Sequence, residues 1–224
     1  MNIWLIMLIV MVLSLLIQQM LQSRFEKYSK IGTANGMSGA EVAQKMLHEN
    51  GIYDVKVVAT RGMLTDHYNP QTKTVALSEG VYASRSVAAA AVAAHECGHA
   101  VQHAKGYAPL KMRSALVPVV NFASNIVQWV ILAGVLCINI FPNLIWIGIA
   151  LFATTTIFSF ITLPVEVNAS SRAIAWLGRA GVTDSRTHGM AIDALKWAAY
   201  TYVIAAIGSL ATLLYYIDIA RSRD

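Results

Sequence analysis

His95, Glu96 and His99 stand in the order His-Glu-Cys-Gly-His, inside an alanine-rich run from Ser86 to Ala104 with no proline and one glycine. Such a run predicts a helix. On a helix, residues four apart share a face about one turn from each other. Both imidazoles can then reach one tetrahedral Zn²⁺, and Glu96 can serve as general base on water that the ion acidifies. Ala93, Ala94, Gly98 and Ala100 are small enough to let other elements approach closely. The competing reading is an amphipathic helix whose histidines are merely polar surface.

A catalytic zinc takes three protein ligands and keeps one position open. Glu166 is the best candidate for the third, because it is the only acid between Glu96 and Asp184. His103 competes, four residues past His99. On an unbroken helix it lies about 12 Å along the axis from His95, too far for one ion. It reads as polar surface or as a group behind the ligands, and His48 and His188 read as solvated. The oxyanion formed during attack on a peptide carbonyl needs a donor. His67, Tyr68, Tyr82, Arg172 and Tyr202 are candidates, and Asn69 could hold a substrate backbone. For the tyrosines the alternative is anchoring at a membrane interface. For His67 and Asn69 it is hydrogen bonding within a loop.

The elements that must position these residues belong to a membrane protein. Of 224 residues only 13% are charged, against about 25% in an average soluble domain, and mean hydropathy is +0.53. The predicted architecture is mainly α, with about four transmembrane helices and a small α+β zinc-peptidase domain of gluzincin-like form. Residues 1–21 form an N-terminal anchor, read as uncleaved because Met1-Asn2 carries no cation. Arg24, Lys27 and Lys30 follow it. Residues 22–115 form the zinc-peptidase region. There Ser38-Gly39-Ala40-Glu41 has the form of a capping box, opening a helix from Gly39 to about Asn50. Asp54 to Thr60 and Thr72 to Ser78 read as strands, the second as the edge strand beside the metal, and Gly62 to Gln71 as a polar turn. Residues 116–164 form a transmembrane hairpin, with spans Leu116 to Ile140 and Leu144 to Pro164 around a Phe141-Pro142-Asn143 turn. Its polar residues (Asn121, Asn125, Gln128, Thr154 to Thr156) can hydrogen-bond between helices. Residues 165–196 return to water with a helix over Val165 to Gly178 that carries Glu166. Residues 197–224 form the last span and a basic tail.

Charge placement fits that topology. Of 17 Lys and Arg, eleven fall in 22–115, four in 165–196 and two in the tail. The positive-inside rule puts both large segments in the cytoplasm, although the basic tail then lies outside. Four spans place those segments on one side in either orientation, so a site shared between them is geometrically allowed. The net charge of +5 reads as topological. No nucleic-acid-binding motif is present, and none is expected as a partner. Cys97 and Cys137 have neither redox nor metal-pair spacing and read as buried or lipid-side thiols.

The ordered motifs Asp66-His67-Tyr68-Asn69-Pro70, Leu77-Ser78-Glu79-Gly80-Val81-Tyr82, Ala94-His95-Glu96-Cys97-Gly98-His99-Ala100, Leu163-Pro164-Val165-Glu166 and Ala199-Tyr200-Thr201-Tyr202 run through nearly the whole chain. In this the sequence resembles the bacterial membrane neutral zinc metallopeptidases, the YugP-like group. It is more distantly similar to the HtpX heat-shock protease and the CAAX-prenyl proteases. The resemblance implies a zinc-dependent endopeptidase of the membrane, with His95, His99 and Glu166 as ligands and Glu96 as base. The distant relatives carry Glu-x-x-Ala-Asp, whereas here Ala169 is followed by Ser170. If that Asp orients a ligand, Ser170 cannot do so as an anion.

The expected activity is therefore hydrolysis of polypeptides by an integral-membrane zinc endopeptidase of the cell membrane. Its expected partners are a polypeptide substrate and lipid, and four spans also suit self-association or a membrane-protein partner. The alternative is a non-enzymatic adaptor or quality-control subunit with a structural or vestigial metal site. A transporter fits poorly, because the spans contain no ionisable residue away from their ends.

Overall fold

A computed structural model describes residues 3–137 and 140–221. The fold is mainly α, with one small sheet. In chain order the elements are α1 (Ile3–Ser29), α2 (Gly39–Glu49), β1 (Lys56–Thr60), β2 (His67–Asn69), β3 (Thr74–Ser78), α3 (Glu79–Tyr82), α4 (Val87–Ala104), α5 (Ala108–Leu136), α6 (Asn143–Arg179) and α7 (His188–Arg221). Helices α1, α5, α6 and α7 are each long and apolar enough to cross a membrane, with mean hydropathy between 1.7 and 2.3. The protein is an integral-membrane protein with a small α+β domain.

The chain divides into two compact units. One comprises residues 1–16, 111–164 and 201–224, the other 17–110 and 165–200. In the first, α5 and α6 cross closely at Gly134: a Cβ there would lie 2.7 Å from the Ile145 Cα. The Thr156 and Ser209 hydroxyls bond at 2.8 Å between α6 and α7. Thr154 and Thr155 instead bond back to carbonyls of their own helix, and Asn121, Asn125 and Gln128 are exposed.

In the second unit, a three-stranded sheet and α2 pack with α4. The capping box of α2 forms: the Glu41 N–H donates to Ser38 Oγ at 3.3 Å and the Ser38 N–H to Glu41 Oε2 at 2.7 Å. Such a cap contributes about 1 kcal/mol. It sets the phase of α2, so Val42, Ala43, Met46 and Leu47 are buried together. Ser86 caps α4 by accepting from the Ala89 N–H at 3.2 Å. The α4 start is also tied to the chain leaving α1, through the Val87 N–H to Ile31 O at 2.8 Å. Trp176 of α6 is 2% exposed, and its indole N–H donates to Glu49 Oε2 at 2.7 Å. Asp193 of α7 accepts from the Tyr28 hydroxyl at 2.6 Å and pairs in charge with Arg24, whose Nε lies 3.1 Å away, both from α1.

Several sequence expectations are corrected. The second strand is central, not an edge, since the sheet order is β1-β3-β2. β3 pairs parallel with β1 (Val57↔Val75) and antiparallel with β2 (Tyr68↔Val75). The edge strands are β1 and β2, and β2 lies inside the stretch read as a turn. Val75 to Ser78 are all buried, so alternation there marks no exposed face. The charged residues after the anchor do not end α1, which runs on to Ser29; charge ends an apolar run without ending a helix. α5 likewise begins at Ala108, ahead of Lys111 and Arg113, and contains Pro118. The third span and the Glu166 segment form one helix through Pro164. A proline inside a helix removes one backbone bond, and membrane helices tolerate it where neighbouring groups re-satisfy the freed carbonyl. The expected second span includes Ile138 and Asn139, and the tail includes residues 222–224; these lie outside the described residues.

Candidate metal centre

α4 delivers His95, Glu96 and His99, and α6 delivers Glu166 and Ser170. The two helices meet at Gly98. A Cβ on that residue would lie 2.6 Å from the Ala169 carbonyl oxygen, so only glycine permits this approach. The approach brings Glu166 Oε2 to 3.2 Å from His95 Nε2 and 3.5 Å from His99 Nε2. The two imidazoles stand edge to face, 84° apart, with centroids at 4.8 Å. The donor atoms of His95, His99 and Glu166 all lie within 4.8 Å of one another. Donors about 2.1 Å from a tetrahedral zinc sit about 3.4 Å from each other, and the 3.2 and 3.5 Å separations of Glu166 from the two imidazoles match that. Glu166 is 3% exposed. A buried carboxylate facing two imidazoles is a donor set that could hold a divalent cation.

The other ring nitrogens are also engaged. His95 Nδ1 lies 3.1 Å from the Ser170 hydroxyl, so Ser170 contacts a candidate ligand although it carries no charge. His99 Nδ1 lies 3.1 Å from Gln102 Oε1. The Gln102 amide, wholly buried, donates to the Val165 carbonyl at 2.8 Å and to Asn168 Oδ1 at 3.0 Å. Arg172 Nε donates to the same Asn168 oxygen at 2.7 Å. Burial disfavours the charged form of His99, yet its bond to Glu166 and the nearby Glu96 charge outweigh that and raise its pKa. Cys97 points away, towards the Ala43 carbonyl. Burial pushes its thiol pKa far up.

The remaining candidates are placed differently. His67, on β2, is exposed, and its Nδ1 bonds the Thr65 carbonyl at 2.7 Å. Asn69 Oδ1 accepts from the Gln71 and Thr72 N–H groups and shapes the β2–β3 turn. His103 is exposed and bonds the Tyr68 hydroxyl at 2.8 Å, joining α4 to β2. Arg172 reaches the centre only through Asn168 and Gln102. Tyr202 belongs to the other compact unit and is 38% exposed. His188 is not simply solvated, because it bonds Thr183 at 2.9 Å. His48 is exposed beside Tyr53. Sequence reasoning missed Gln102 and Asn168. Their signal was helical spacing alone, Gln102 three residues after His99 and Asn168 four before Arg172.

Residues 3–221 match the family described as "Putative neutral zinc metallopeptidase". The chain belongs to this family. Over 207 residues, 92% of this chain and 91% of the other, it is 46% identical to a Bacillus subtilis (strain 168) protein named "Putative membrane protease YugP". No solved structure matches it. Zinc is the family's metal, and the His95, His99 and Glu166 cluster is where this chain can bind one.

Proposed function

We propose that the protein is an integral-membrane zinc endopeptidase, with His95 Nε2, His99 Nε2 and a Glu166 oxygen as ligands and Glu96 as general base. The observation that carries this reading is the meeting of those three donors, with Glu166, 71 residues from His95 in sequence, at 3.2 and 3.5 Å from the two imidazoles. Zinc held by these residues would supply a Lewis acid and lower the pKa of a bound water. The Glu96 carboxylate, half-buried beside His95, takes a proton from the attacking water and returns it to the departing amine nitrogen. His95 and His99 present their Nε2 atoms while their Nδ1 atoms stay engaged with Ser170 and Gln102, which holds both rings in orientation.

The free side of β2 gives an extended peptide a place to dock. Strand addition there would fix the substrate by main-chain bonds next to the metal helix. The Tyr68–His103 hydrogen bond joins β2 to α4, and Tyr68 is a candidate donor for a substrate carbonyl oxygen. The distribution of Lys and Arg supports a cytoplasmic location for the metal centre.

Zinc content and peptide cleavage of the purified full-length protein test the reading. Wild type should hold zinc and cleave. His99→Ala should lose the metal, and Glu96→Gln should keep it while losing about 10²–10⁴-fold in rate. A wild type without zinc at neutral pH, or a Glu96→Gln variant that cleaves normally, would overturn it.

A further inference from the structure

Gln102 is the largest wholly buried polar side chain in the core, and all of its hydrogen-bonding capacity near the centre is directed. Its amide nitrogen has two donors, and both are used, on the Val165 carbonyl and on Asn168 Oδ1. Asn168 cannot reverse its own amide without turning a donor towards Arg172 Nε, which now donates to its oxygen. The Gln102 amide is therefore held in one orientation. Only Oε1, an acceptor, can face His99 Nδ1 at 3.1 Å. An acceptor there requires a proton on Nδ1 and leaves Nε2 to face Glu166. Ser170, opposite His95, is different: a hydroxyl both donates and accepts, so it accommodates either form of that ring.

We propose that Gln102 is a positioning residue that keeps the proton of His99 on Nδ1, so that Nε2 is presented to the metal, with Asn168 and Arg172 as the anchor that fixes the amide. This rests on the zinc-centre reading and assigns His99 the pre-set imidazole and His95 the adaptable one. The cause is the one-way polarity of the chain from Arg172 through Asn168 and Gln102 to His99. No charged group need touch the ligand itself for it to be oriented in this way, since a buried amide with both ends satisfied is costly to rotate.

The full-length protein, ¹⁵N-labelled at histidine, provides the test by NMR with and without added zinc. Nδ1 of His99 should carry a proton in both samples, and the wild-type spectrum alone overturns the proposal if that nitrogen is bare. Gln102→Met keeps the length and apolar bulk of the side chain but removes the acceptor. Its zinc dissociation constant should rise about 10–100-fold, the range for losing a ligand's supporting bond. Asn168→Ala, which frees the amide without touching His99, should give a smaller rise in the same direction. Folded Gln102→Met protein that binds zinc within about twofold of wild type and keeps the His99 Nδ1 proton signal would also overturn it. A purely structural role would lower the thermal midpoint without moving either readout. Wild type that takes up no zinc would sink the peptidase reading, while the metal-free spectrum still reports on Gln102.

Discussion

Replacing Gly98 with alanine separates the geometry of the centre from the stability of the helix that carries most of it. Alanine is favoured over glycine inside a helix by about 1 kcal/mol. Against that, the added methyl would meet the Ala169 carbonyl oxygen at 2.6 Å and two more backbone atoms at 3.1 Å, where ordinary contact begins at 3.4 Å. Backbone atoms cannot swing aside as a side-chain tip can, so relief requires α4 and α6 to part locally by about 0.8 Å, with overpacking costing about 1–3 kcal/mol. The two terms nearly cancel in stability. They do not cancel at the centre, where metal–ligand distances tolerate only about 0.2 Å and Glu166 sits three residues from the clash. Gly98→Ala should therefore bind zinc at least about 10-fold more weakly, with metal-free stability changed by no more than about 2 kcal/mol. Chelator competition gives the first quantity and thermal melting of metal-free protein in detergent the second. Wild-type affinity in a folded Gly98→Ala protein would refute the claim that this contact sets the spacing of the donors.

Cys97 should resist alkylation in the folded protein at pH 8, because burial disfavours its thiolate; rapid labelling mapped to Cys97 by mass spectrometry would contradict its placement. Trp176→Ala should cost about 3–5 kcal/mol, seen as a lower thermal midpoint, since it empties a core site and leaves Glu49 without its indole donor. The Glu41 carboxylate is held below its usual pKa by the Ser38 backbone and side-chain bonds, with Arg85 adding to them. A lowered folded value gives stability that is present above the unfolded glutamate pKa and lost as pH falls through the folded one. The gap in thermal midpoint between wild type and Glu41→Gln should therefore be open at pH 7 and close on acidification below about pH 4. A gap that is unchanged at low pH would show that the carboxylate charge contributes nothing to the cap.

The parts of the fold legible in the sequence are those written in local spacing. The i,i+4 histidines, the Ser38–Glu41 box and the Ser86 cap each declare a helix and its phase without knowledge of the rest. Four apolar stretches declare four membrane helices, and the helices run past those stretches, to Ser29, from Ala108 and through Pro164, because hydropathy reports solvent and helix ends report backbone bonding. β2 was invisible. Asp66, Asn69 and Pro70 favour turns, and only pairing with β3, whose Ser78 N–H and hydroxyl both bond Asp66, makes the segment a strand. Glu166 was legible by elimination rather than by pattern. Gln102 was not singled out, since one glutamine on an alanine-rich helix looks like surface until the carbonyl of Val165 is placed beside it.

The three donors are unequally sheltered. The His95 side chain is 14% exposed, His99 10% and Glu166 4%. A scavenger in solution would therefore meet such a centre from the His95 side, with the carboxylate as the ligand farthest from water.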